Sequence, residues 1–290
     1  MKLFSKKKLS SKKIKLDLTG NPKIDSDNFQ ELHLSNYFGI YADKAYDLHK
    51  KGFCKIKIKD KKFINDVSNL KIKLEEKREI LFKENNRLQD GWEDKNFFEI
   101  SEIANHKEIL DLLRTLFGRE PFPFQTLNFF KGSSQAIHSD IVHFNSVPSG
   151  FMCGVWVALE DIDPNSGPLS YYPESHRLPV LKSSTLNLKN SDISKHPHPQ
   201  TLFESKWSEL ICRNNLNNEK FIAKKGDILL WHSNLLHGGS KIQSKDLTRF
   251  SQVTHYFFKK CLYKRPFHET INISNENLWF KPKDILRLSK

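Results

Sequence analysis

From Pro121 onward the chain breaks into short β-rich runs, and this limits its fold more than any other feature. The runs are Phe124–Lys131, Gln135–Phe144, Phe151–Glu160, Leu169–Tyr172, Gly226–His232 and Arg249–Phe258. Turn signals separate several of them, among them Gly132-Ser133-Ser134 and Pro164-Asn165-Ser166-Gly167. Such a succession fits a β-sandwich or jelly roll with helices packed outside it better than it fits alternating βαβ units. Between Pro173 and Lys220 a long polar stretch interrupts the pattern and reads as loops with a short helix.

The front third has a different texture. Ile40–Lys51 reads as a helix closed by Gly52, and Phe53–Ile58 as a short strand with an exposed lysine face. Ile64, Val67, Leu70 and Leu74 share one helical face, as do Ile109, Leu112, Leu113 and Leu116 in a second helix over 106–117. Ahead of these lies a basic segment, with seven Lys and one Asp in residues 1–20. Residues 1–27 are therefore expected to be a disordered, solvated arm, and 28–290 one domain: a helix-rich front to about 120 and a β core from about 121 to 260.

The net charge of +13 invites a nucleic-acid partner, but only nine of the 47 basic residues are Arg and the excess gathers in the arm, which argues against one. Four scattered cysteines, Cys54, Cys153, Cys212 and Cys261, form neither a disulfide framework nor a zinc cluster. No apolar run has the length of a membrane span, so a cytoplasmic location is expected. The sequence does not speak to oligomeric state.

Within the β half, His138-Ser139-Asp140 places an imidazole and a carboxylate two residues apart, on the same side of an extended segment. These are two thirds of a facial metal site, which a distant histidine would complete while open positions remain for chemistry. H-x-D alone is weak in a chain with 12 His. His237 follows Asp140 by 97 residues, in Leu236-His237-Gly238-Gly239, so only the fold could unite them. Thr248-Arg249-Phe250-Ser251 then opens a strand with Arg249, Ser251 and Val253 on one face. A buried Arg249 would need a partner, and a ligand carboxylate held by the guanidinium and the Ser251 hydroxyl would supply it.

The fragments H-S-D (138–140), V-W-V-A-L-E-D-I-D-P-N-S-G-P-L (155–169), P-E-S-H (173–176), K-G-D (225–227), L-H-G-G (236–239) and T-R-F-S (248–251), in that order, resemble the phytanoyl-CoA dioxygenase family over about residues 52–260. The resemblance implies a cupin-like double-stranded β-helix and an iron(II)- and 2-oxoglutarate-dependent dioxygenase. It implies His138, Asp140 and His237 as iron ligands, and Arg249, with Ser251 assisting, on the distal carboxylate of 2-oxoglutarate. Asn128, in T-L-N-F-F-K-G, and Trp156 match positions that contact or flank the cosubstrate in relatives. The chemistry implied is hydroxylation of an unactivated C–H bond with O2, releasing succinate and CO2. One departure is Glu174, where the family usually has Gly in a P-G-S-H turn.

Alternatives stand beside these residues. His143 could replace His138 through D-x-x-H, though an extended segment would turn it to the face opposite Asp140; lining the substrate entrance with Phe144 is its other reading. His232 could compete with His237, and His176 could merely stabilise a turn. Trp156 reads equally as a core aromatic, and Asn128 as a satisfied structural amide. The rival function is a non-catalytic or metal-only cupin-type module whose basic arm holds an anionic partner. The substrate is expected to be a small molecule, for which lysine-rich surroundings hint at an anion.

Overall fold

Helices form where apolar spacing and end signals agree. Asp60 caps the helix Lys61–Glu76, its carboxylate accepting the Lys62 N–H at 2.8 Å, and Phe63, Val67, Leu70 and Leu74 make one buried stripe along it. Ala42–Lys51 and Lys107–Phe117 end on Gly52 and Gly118, whose φ of 81° and 74° are left-handed values that glycine adopts without a Cβ penalty. The structure is a computed structural model that describes residues 15–81, 87–189, 192, 196, 198, 200–268 and 279–288.

A six-stranded antiparallel sheet carries the core. In chain order its strands are β1 (Phe53–Lys57), β2 (Arg87–Gln89), β3 (Pro121–Phe129), β5 (Met152–Ala158), β8 (Asp227–His232) and β10 (Ser251–Phe258), arranged β1-β8-β5-β10-β3-β2. A smaller sheet joins β6 (Leu169–Tyr171), β7 (Glu219–Phe221) and β9 (His237–Gly239) in the order β7-β6-β9, and β4 (Asn145–Val147) pairs with β11 (Leu262–Lys264). Alternation along the central strands divides the large sheet into two working faces. Val155, Val157, Ile228, Leu230, Tyr256 and Phe258 pack with the front helices. Trp156, Leu229, Trp231 and Val253 point the other way, toward Leu169, Tyr171 and Phe221 of the smaller sheet. This is the expected jelly-roll architecture, antiparallel sheets with flanking helices and, among the described residues, no closed barrel.

The run 135–144 is not the strand its composition suggests. Only His138 makes a β-bridge, to His237, and Asp140–Val142 is a 3-10 turn. Its apolar residues serve burial and not a ladder: Ile141 and Val142 pack with Leu181, Phe203, Trp207 and Phe267. Three of those partners lie in the stretch read as loops with a short helix, and two of them, Phe203 and Trp207, are buried on the helix Thr201–Arg213 that it contains. Glu174 keeps the left-handed turn despite its side chain, with φ 68° and its N–H donating to Lys51 O at 2.8 Å.

The segment 1–27, expected as a solvated arm, includes residues that dock on the domain. Residues 1–14 lie outside the described residues. Beyond them Arg119 donates to the carbonyls of Asp17 (2.9 Å) and Thr19 (2.8 Å), and Ile24 is fully buried in the helical core. No helix among the described residues is long and apolar enough to cross a membrane. Ile24→Ala should cost about 2–5 kcal/mol in denaturant unfolding, as for a buried aliphatic residue. A change within about 0.5 kcal/mol would return this segment to the solvated arm.

Candidate metal centre and cosubstrate cavity

Two histidines distant in sequence meet through their own backbones. The His138 N–H donates to His237 O and the His237 N–H to His138 O, each at 2.9 Å. Glycines let the chains come this close. A Cβ at Gly238 would stand 2.7 Å from Gln135 O, and one at Gly239 2.5 Å from Ser133 Oγ. The strand thus tolerates residues of low β-propensity because a second backbone occupies the space of their side chains.

Both imidazoles are turned inward by the same device. His138 Nδ1 lies 2.9 Å from Ala136 O, and His237 Nδ1 3.0 Å from Leu235 O. A proton on each Nδ1 makes those bonds and leaves each Nε2 with a lone pair. Burial, with His237 alongside, pushes His138 down to about 3, so its ring is neutral. Asp140 Oδ1 lies 3.7 Å from His138 Nε2 and 3.8 Å from His237 Nε2. Burial alone would raise the Asp140 carboxyl, but His237 and His255 outweigh it and hold it below the usual carboxylate range. The three ligand atoms lie within 4.8 Å of one another, a buried set that could hold a divalent metal. Two imidazole nitrogens and one carboxylate suit iron(II) among first-row metals.

His232 does not join this group. Its Nε2 is 3.2 Å from Asp25 Oδ2 and its Nδ1 accepts the Asn234 N–H at 3.0 Å. His176 lies against the end of the helix Ala42–Lys51, its Nε2 3.0 Å from His49 O. The expected opposite orientation of His143 fails because the 3-10 turn after Asp140 rotates it back: His143 and Phe144 both line the cavity above the three ligands. His143 remains outside the ligand cluster, its ring centroid 6.1 Å from that of His138.

The cavity, about 220 Å³, runs between the two sheets and is walled by Leu127, Phe129, Trp156, Leu169, Val253 and Arg249 beside the three ligands. Arg249 is only 2% exposed, and burial pushes its guanidinium down to about 10. It precedes the strand that the sequence assigned it to, since β10 begins at Ser251. Its Nη2 donates to Lys131 O at 3.3 Å, and the charge of Glu160 acts on it without an ion-pair contact among the described residues. Arg249 Nε, Ser251 Oγ and Trp156 Nε1 are buried without hydrogen-bond partners. The rings of Phe129 and Trp156 stand 5.5 and 5.8 Å from the guanidinium.

Asn128 is placed elsewhere. Strand alternation turns Leu127 and Phe129 into the cavity and Asn128 to the helical side, where its Nδ2 donates to Gln252 Oε1 at 3.3 Å. Its Oδ1 is buried without a hydrogen-bond partner. Sequence reasoning also passed over His255 and Trp231, both cavity-lining. For His255 a signal existed, because it continues the alternating face of Ser251 and Val253.

Comparison with known proteins gives a consistent set of relatives. A family model described as Phytanoyl-CoA dioxygenase (PhyH) matches residues 61–251. Peroxisomal phytanoyl-CoA dioxygenase of Bos taurus is 24% identical over 216 residues, 69% of this chain and 56% of the bovine protein; that of Rattus norvegicus is 26% identical over 133 residues, 46% and 36%. The chain thus spans no more than about half the length of these curated relatives. Among solved structures, EctD from S. alaskensis with 2-oxoglutarate and 5-hydroxyectoine has a TM-score of 0.61 at 17% identity, covering 93% of this chain and 92% of that one. The 2-oxoglutarate-dependent carbocyclase SnoK from nogalamycin biosynthesis has a TM-score of 0.59 at 13% identity, covering 85% and 96%. At such identities the solved structures speak for the fold.

A direct expectation concerns the metal. Anaerobic titration with iron(II) should give about one ion per chain. His138→Ala and His237→Ala should each lose it, and His232→Ala should keep it. Loss on His232→Ala, with retention by His237→Ala, would mean the wrong histidine completes the site.

Proposed function

This chain belongs to the phytanoyl-CoA dioxygenase family of iron(II)- and 2-oxoglutarate-dependent oxygenases, and on that premise we propose that it hydroxylates an unactivated C–H bond of a small-molecule substrate. His138, Asp140 and His237 would hold the iron. Arg249, with Ser251 donating its hydroxyl, would bind the distal carboxylate of 2-oxoglutarate, and Trp156 would flank it. Iron and 2-oxoglutarate, when bound, supply the activation of O2, with succinate and CO2 as coproducts.

The observation that carries this reading is Arg249, a buried cation with an unpartnered Nε beside two further unpartnered donors, Ser251 Oγ and Trp156 Nε1. Burying a charge is costly unless it is paired, and nothing in a metal-only cupin requires it here. A dicarboxylate that reaches from the metal ligands to this end of the cavity satisfies the cation and the orphaned hydroxyl together. The side chains around it, Leu127, Phe129, Leu169 and Val253, are apolar and limit water, which strengthens each charged contact.

The primary substrate would enter past His143 and Phe144, with Arg87 at the rim favouring an anionic group. Related folds carry other outcomes, since SnoK is described as a carbocyclase and SnoN as an epimerase. The product therefore has to be read directly, from a screen of small anionic candidates under iron(II) for substrate-dependent succinate release and an added oxygen atom. A decarboxylation that leaves every candidate dehydrogenated or cyclised would replace hydroxylation in this proposal.

Arg249→Ala should weaken 2-oxoglutarate binding to the iron(II) protein by at least about a hundredfold, because charge-assisted bonds contribute roughly 1.5–3 kcal/mol each. Arg249→Lys should recover part of that, lacking the planar fork. Iron affinity should hold in both. Binding by Arg249→Ala within about threefold of the parent would transfer the site to the metal-only reading.

A further inference from the structure

The proposed metal ligand Asp140 has two oxygens, and the fold treats them differently. Oδ1 faces His138 and His237, at 3.7 and 3.8 Å from their Nε2 atoms. Oδ2 turns away and accepts the indole N–H of Trp231 at 2.8 Å, both groups fully buried. His255 Nε2 stands 3.5 Å from the same oxygen, and its Nδ1 lies 3.0 Å from Gln125 Oε1.

The indole reaches Oδ2 because the neighbouring strand gives it room. Trp231 on β8 and His255 on β10 both pair in register with Gly154 on β5, so the three form a row across the sheet. A Cβ at Gly154 would sit 2.2 Å from Trp231 Cε2 and 2.6 Å from Nε1. Gly154 is extended and central, in a fully buried strand where glycine weakens the sheet and forfeits packing. Its place is explained by the ring that lies on it.

We propose that Trp231, seated on Gly154 and seconded by His255, is a positioning residue that keeps Asp140 a one-oxygen ligand. The hydrogen bond occupies Oδ2 and fixes the carboxylate rotation, so that only Oδ1 is presented to the metal. A carboxylate free to chelate would take a second coordination position, one that a keto acid and O2 need. Outer partners of this kind commonly change metal affinity by 10–100-fold. The inference rests on the metal reading above and adds to it a role for two residues outside the ligand set.

The test uses the full chain with cobalt(II), whose visible spectrum reports coordination number. Trp231→Phe keeps an aromatic side chain in the sheet row and removes the donor together with part of the ring over Gly154. It should bind cobalt(II) about 10–100-fold more weakly, with a changed visible spectrum, while circular dichroism shows the fold intact. In an Asp140→Ala background the same change should have no further effect on affinity, which a merely structural tryptophan would not reproduce. Gly154→Ala, which lifts the indole, should shift the spectrum in the same sense. A folded Trp231→Phe with affinity within twofold of the parent and the parental spectrum overturns the proposal. Should neither variant fold, the unmutated protein decides: its Trp231 indole N–H resonance should move on adding zinc(II), and a resonance that stays put overturns it. His138→Ala is the control for the underlying reading, since retention of cobalt(II) there removes the metal site, and this inference with it.

Discussion

The structure depends on one backbone exchange, the paired hydrogen bonds between His138 and His237. It joins a turn-bound segment after β3 to the edge of the smaller sheet, and so closes the cavity end where the three candidate ligands meet. Because the bonds are main-chain to main-chain, they fix where the two Cα atoms stand before any metal is considered. Carbonyls two residues upstream then fix the ring orientations. The glycines after His237 belong to the same arrangement, since side chains there would collide with the approaching backbone. A site built this way is preorganised by folding, which lowers the cost of assembling ligands around an ion.

From that end the cavity mixes charged and apolar groups. Two imidazoles and one carboxylate line it together with a buried guanidinium, the Trp156 indole and apolar side chains, and the guanidinium Nε and the indole N–H have no partners. Folding leaves these donors unpaired at a cost, and such costs persist where a ligand relieves them. The helices on the opposite face carry none of this chemistry. They bury the far side of the large sheet and let its inner face be spent on the cavity.

Much of this was legible in the sequence, and the failures have physical causes. Helix ends at Gly52 and Gly118 were readable because capping is local, and the core strands because β-branched and aromatic runs are bounded by turn residues. The segment 135–144 misled because burial and strand pairing favour the same residues, and only tertiary contacts separate Ile141 in a turn from Ile141 in a ladder. That error carried the wrong orientation of His143 with it. Asn128 was named by family position alone, and the alternation that sends Leu127 and Phe129 to the cavity sends its side chain to the other face of the sheet. Ile24 was hidden by its charged neighbours, since composition averages over a buried residue that helps anchor the segment. Trp231 could not have been assigned a role from its own run, because its partner Asp140 lies 91 residues away.

The central claim is that one cavity joins a three-residue metal centre to a carboxylate clamp. The most direct measurement is the visible absorption spectrum of the anaerobic iron(II) protein as 2-oxoglutarate is added. The account predicts a weak, saturable visible band from the chelated keto acid, seen with both components present and with neither alone. No band at saturating iron(II) and 2-oxoglutarate, in protein shown to hold one iron per chain, would contradict it.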